Sequence, residues 1–149
     1  MYTLFTWLRQ WRATQRVRQI TPEAARQRVA RGAAYLDEVD PDWWQRLDAA
    51  VLELSHGQSC VLGQLHGGFE HGLSRAAILN MGSAPRASLS PVALGFLCVQ
   101  GVAAEGQAHD YALLNAAWQD EIIRRRPPVK IDQLIRKDKK PIPVAQVAG

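Results

Sequence analysis

Cysteine is scarce in this 149-residue chain. Its two residues, Cys60 and Cys98, are too few for the disulfide framework of a small secreted domain. No apolar run approaches the roughly 18 residues that a membrane-spanning helix needs. Eleven glycines and eight prolines follow no period, which excludes a collagen-like chain. Serine is missing from the first 54 residues, and Glu23 is the one acidic residue among the first 36. What is present is an ordinary globular composition, 47% hydrophobic and 21% charged. A chain of this length suits one domain and buries enough surface to need neither disulfide nor metal.

The net charge of +4 is unevenly spread. Residues 1–36 carry seven Arg against Glu23, a balance of +6, and residues 124–149 carry eight basic residues against Asp132 and Asp138, again +6. Residues 37–123 carry three Arg against eleven acids, a balance of −8. Two basic ends around an acidic middle point to contact with phosphate, an acidic protein or an anionic membrane surface, or to ends folded back on the acidic middle.

Residues 2–18 read as an amphipathic helix. Leu4, Trp7, Leu8 and Trp11 fall on one stripe at i, i+3, i+4 and i+7, with Arg9, Arg12 and Arg16 on the opposite face. The continuation of the stripe, Thr14, Gln15 and Arg18, is polar. The common fate of such a helix is to dock on its own domain. The alternatives are a membrane-surface helix and an organelle-targeting segment, the latter disfavoured by the lack of serine.

Thr21-Pro22-Glu23 supplies an N-cap oxygen, a proline at the first helical position and an acid at the positive helix end. The stripe Ala25, Val29, Gly32, Ala33 and Leu36 predicts close helix–helix approach, with Arg28 and Arg31 pointing elsewhere. Asp40-Pro41-Asp42 breaks and restarts the chain. Trp44, Leu47, Val51 and Leu54 then share a helical face, and Trp43 is either a second core contact or an exposed anchor. Ser55 to Gln58 has the form of a capping box opening a helix through Cys60, Val61, Leu62 and Leu65 to Gly67-Gly68. A further helical piece is expected over 69–81 and a loop over 82–91. The apolar run 92–102 reads equally as strand or helix. Gly106-Gln107-Ala108 reads as a break, and a firm helical face follows through Tyr111, Leu114, Trp118 and Ile122. It ends at Arg124-Arg125-Arg126 and Pro127-Pro128.

Three segments resemble a known group. Arg31-Gly32-Ala33-Ala34-Tyr35-Leu36-Asp37-Glu38 with Trp43-Trp44, Cys60-Val61-Leu62-Gly63-Gln64-Leu65, and Tyr111 to Arg126 with Ala117-Trp118 and Glu121-Ile122 look like small uncharacterised proteins of actinobacteria and their phages. The resemblance covers about a third of the chain and implies a phage or mobile-element origin. It implies no activity, and the Trp-rich N-terminal helix is not part of the pattern.

Candidate chemistry is thin. His56, Cys60, His66 and His71 lie within 16 residues, and His56 with Cys60 has the i, i+4 spacing of a helical ligand pair. The set lacks C-x-x-C and H-E-x-x-H, and His66 and His71 share no helix face, so no metal or other cofactor is expected. Cys60 and Cys98 sit in apolar contexts that favour inert thiols. Asp37/Glu38 and Asp40/Asp42 are explained as caps. The expected protein is mostly α-helical and cytoplasmic. A basic amphipathic helix over 1–20 precedes a helical core domain over 21–126, and a Pro/Lys-containing arm follows over 127–149. The core is expected from Trp44, Leu47, Val51, Leu54, Val61, Leu65, Leu114, Trp118 and Ile122. The expected function is a non-enzymatic interaction protein. Arg9, Arg12, Arg16, Arg124, Arg125, Arg126, Lys137, Lys139 and Lys140 would contact nucleic acid or an acidic protein surface, including that of a second copy in a homo-oligomer. The alternatives are a peripheral membrane protein anchored by Leu4 to Trp11, and a small zinc or thiol module around Cys60 to His71.

Overall fold

Thr21-Pro22-Glu23 opens a helix as its residue types dictate. The Thr21 hydroxyl accepts from the Ala24 amide at 3.1 Å, and Pro22 occupies the first helical position. The structure, a computed structural model, describes residues 2–75 and 90–128. Among them the chain is helical without strands: α1 (Tyr2–Val17), α2 (Pro22–Val39), a 3-10 turn (Trp43–Arg46), α3 (Val61–His66), α4 (Phe69–Arg75) and α5 (Ala104–Arg125). The expected loop over 82–91 is described only at Ser90 and Pro91, and the C-terminal arm only at Pro127 and Pro128; Lys137, Lys139 and Lys140 lie outside the described residues.

Helices α2 and α5 form the centre and run parallel. Arg28 pairs with Asp110 near their N-terminal ends, and Asp37 with Arg125 near their C-terminal ends. The small-residue stripe of α2 is buried as expected, from Ala25 to Leu36, against Leu114, Ala117, Trp118 and Ile122 of α5. Trp118 is the hub. It meets Trp43 edge-on at 5.7 Å between ring centroids and stacks on Phe96 at 5.4 Å.

Several expectations for the core change. Trp43, not Trp44, is fully buried, with its indole N–H donating to Asp37 at 2.8 Å; Trp44 and Leu65 are half-buried. No α-helix forms over 44–54. The chain leaves the 3-10 turn at Leu47 in an extended conformation, Asp48 accepts from the Ala50 amide at 2.9 Å, and Gln64 of α3 bonds both backbone groups of Asp48. Leu52 and Leu54 are thereby buried two residues apart while Val51 is exposed. The capping box at Ser55 is also replaced. Cys60 is the N-cap, its Sγ accepting from the Gly63 amide at 3.2 Å, so α3 starts at Val61, five residues later than a Ser55 cap would set it. Gly67 closes α3 in the left-handed conformation, φ +84°, where glycine is unstrained.

Two further corrections concern the approach to α5. Residues 90–101 are neither strand nor helix but successive turns, and Gly106-Gln107 does not interrupt α5, since the Gln107 amide bonds the Ala103 carbonyl at 3.0 Å. The turns lie directly on α2. A Cβ at Gly32 would overlap the Leu94 carbonyl, and one at Gly95, φ +70°, would sit 3.0 Å from the Val29 amide.

Candidate contact helix

The side chain that holds these turns is Arg28, which the apolar pattern of α2 sets aside as pointing away. It is 5% exposed. Its Nε donates to the Val92 carbonyl at 2.7 Å and its Nη2 to the Leu97 carbonyl at 2.6 Å. Its Nη1 reaches both carboxylate oxygens of the fully buried Asp110, at 2.9 and 3.0 Å. Asp110 also accepts from the Val99 amide at 2.7 Å, and the Trp118 indole donates to the Gly95 carbonyl at 2.7 Å. Buried charges require such satisfaction. The network is structural: every polar atom of the ion pair faces backbone or its partner. A guanidinium in a small-residue stripe six residues past a helix start offered one cue, its register beside Val29 and Gly32; its partner 82 positions away offered none.

The Cys/His candidates do not converge. Among the described residues no three His, Cys, Asp or Glu side chains are placed to hold a metal ion. Cys60 is buried, and that burial pushes its thiol up, against the Gly63 amide that favours the thiolate. A thiol so placed caps a helix and stays protonated. Burial, reinforced by the Arg75 charge, lowers the half-buried His66 imidazole below its ordinary range. His56 and His71 are exposed. Cys98 is buried against Gln100, whose amide donates to its sulfur at 3.3 Å.

The expected basic contact residues divide into two kinds. At the end of α5 the arginines are engaged within the molecule. Arg124 pairs with Glu121 at 2.7 Å, Arg125 bonds Asp37 at 2.9 Å and stands over the Trp43 ring 5.2 Å from its centroid, and Arg126 donates to the Leu47 carbonyl. On α1 the arginines have no ion pair among the described residues.

Helix α1 departs from the common pattern of docking on its own domain. Leu4 is 69%, Phe5 74%, Trp7 61% and Trp11 51% exposed. Its links to the core are few: Arg16 lies beside Gly101, and Ile20, past its end, lies beside Gly106. At about 100° per residue, Arg9, Arg12 and Arg16 centre about a third of a turn from the Leu4–Trp11 stripe, beside it and not behind it. The third sector carries neutral Thr6, Gln10 and Thr14. No Asp or Glu occurs in 2–18, while Arg9, Arg12, Arg16 and Arg18 give +4. The described residues from 19 onward hold eight Arg and twelve acids, a balance of −4. The described molecule is a dipole with α1 as its positive, apolar pole.

No helix among the described residues is long and apolar enough to cross a membrane. Comparison with protein-family models, with curated proteins and with solved structures returns no match for this chain, so its own residues are what speak for its function.

Proposed function

We propose that this protein is a non-enzymatic interaction protein, of the phage or mobile-element type that its sequence resemblance implies, which contacts an anionic partner through α1. One observation carries the reading: Leu4, Phe5, Trp7 and Trp11 are more than half exposed on a helix whose Arg9, Arg12 and Arg16 pair with no carboxylate among the described residues. Contiguous exposed apolar side chains of this size mark contact surfaces. The unpaired guanidiniums attract a negative partner over roughly a Debye length, about 8–10 Å at ordinary salt, and the exposed rings then supply short-range adhesion. Arg125 is engaged by Asp37 and Arg126 by the Leu47 carbonyl, while exposed Arg124 pairs with Glu121 of its own helix, which shifts weight toward α1. Support for the non-enzymatic part comes from the capping role of Cys60 and the structural role of the Arg28–Asp110 pair.

The test presents the full-length protein with duplex DNA, single-stranded DNA and anionic vesicles at low and high salt. At least one is expected to bind in a salt-sensitive manner, and Arg9→Gln with Arg12→Gln to weaken that binding. Indifference to all three at low salt would remove this reading.

A further inference from the structure

We infer that the partner of α1 is an anionic membrane surface, on which the helix lies in the plane with its Leu4–Trp11 stripe inserted among the headgroups. The inference rests on the proposed function and names the chemistry of the partner.

The apolar side comes first. The stripe runs from Leu4 through Trp7 and half-buried Leu8 to Trp11, about 11 Å at 1.5 Å per residue. It combines aliphatic side chains with indoles, which suit the boundary between acyl chain and headgroup. Bases stack on indoles, but Leu4 and Leu8 would meet little more than thymine methyls in a duplex groove, far less apolar surface than an acyl-chain boundary offers. Nucleic acid therefore leaves half of the stripe unexplained.

The charged side points the same way. Arg9, Arg12 and Arg16 flank the stripe where long side chains reach headgroup phosphates while their stems stay on apolar surface. Phe5, 74% exposed, lies within that row and not behind it. A helix free of acids, joined to described residues that balance at −4, turns its own face toward an anionic plane. Each basic residue near an anionic leaflet contributes about fivefold in binding.

A second copy of the chain is a poorer occupant. Many of its acids are already paired: Asp37 with Arg125, Asp40 with Arg46, Asp110 with Arg28 and Glu121 with Arg124 and Arg125. Of the acids beside surface hollows, Glu53 is already bonded by Ser55 and Asn115, and Asp48 by the Ala50 amide.

The experiment uses the full-length protein with vesicles of phosphatidylcholine and phosphatidylglycerol, and with vesicles of phosphatidylcholine alone. Co-sedimentation with the anionic vesicles, weaker on neutral ones and reduced by salt, is expected. So is quenching of tryptophan emission by lipids brominated near the headgroup. Trp7→Ser with Trp11→Ser should abolish the quenching and weaken binding at least tenfold, and Arg9→Gln with Arg12→Gln should weaken it about 30-fold. Both variants should keep the native melting temperature, since the altered side chains are exposed. Equal binding to neutral vesicles, or binding unaffected by both variants, overturns the inference. Retention on a single-stranded oligonucleotide with no vesicle binding overturns it while leaving the contact-helix reading intact. So does a monomer–dimer equilibrium removed by Trp7→Ser with Trp11→Ser in the absence of vesicle binding. Failure on every probe overturns both.

Discussion

Asp110→Asn tests the centre of the fold most directly. The carboxylate accepts two hydrogen bonds from Arg28 Nη1, at 2.9 and 3.0 Å, and one from the Val99 amide at 2.7 Å. Asparagine keeps the volume but removes the charge. It also turns one acceptor into an NH2 group that must face Arg28 or the Val99 amide, both donors. A guanidinium 5% exposed is then left without its counter-charge. Breaking a buried pair in this way costs about 3–5 kcal/mol, a large part of a total stability of about 5–15 kcal/mol. At about 2–4 °C per kcal/mol for a chain of this size, the melting temperature should fall by roughly 6–20 °C. Urea unfolding followed by tryptophan fluorescence gives the same quantity as a lower midpoint with unchanged slope. Trp118 is a suitable reporter because its indole bonds the Gly95 carbonyl within the clamped turns. A loss under about 1 kcal/mol would refute the reasoning, since an ion pair that cheap to break is not desolvated. Arg28→Met with Asp110→Leu sharpens the point. Replacing an isolated buried pair by apolar residues is often neutral. Here it would orphan the Val92 and Leu97 carbonyls and the Val99 amide, at about 1–3 kcal/mol for each that stays buried. The double variant should therefore remain destabilised. If it matches the native protein, the pair does not scaffold the turns.

Two further predictions concern glycine contacts and a surface carboxylate. Gly32→Ala and Gly106→Ala should change stability with opposite signs. A Cβ at Gly32 meets the Leu94 carbonyl, an overlap costing about 1–3 kcal/mol or more, whereas at Gly106 it meets Val102 at 3.4 Å and Ile20 at 3.6 Å and should gain about 0.5 kcal/mol from helix propensity; two denaturation curves decide it, and a stabilised Gly32→Ala would refute the close approach. Glu53 has its pKa lowered, chiefly by the Asn115 amide and then by the Ser55 hydroxyl. Its contribution is therefore present above its unfolded value near 4.5 and lost as pH falls through the lower folded value. The stability difference between native protein and Glu53→Gln should shrink on acidification, and a pH-independent difference would contradict the assignment.

Local chemistry carried over into the fold wherever one segment was enough to decide it. Thr21-Pro22 sets the start of α2 through a cap three residues long, and the period of Ala25 to Leu36 sets its buried face. Gly67 and Pro127 mark helix ends by backbone geometry alone. The α5 face through Leu114, Trp118 and Ile122 follows for the same reason.

Where distant groups competed, the sequence by itself had no means to choose. Trp44, Leu47, Val51 and Leu54 have helical spacing, but Gln64 draws Asp48 into a loop and places Trp43 against Trp118 instead. In the run 92–102 the Val92 and Leu97 carbonyls are taken by a guanidinium from α2 and the Gly95 carbonyl by the Trp118 indole, so these groups need neither helix nor strand. The stripe and charge of α1 were legible from residue types. That the core leaves this stripe uncovered, and that Arg125 reaches Asp37 and Arg126 the Leu47 carbonyl, depended on which partners lay within reach. Periodicity, caps and charge are properties of neighbours along the chain and were determined by it; which polar groups meet across 60 to 90 residues was decided only by the tertiary structure.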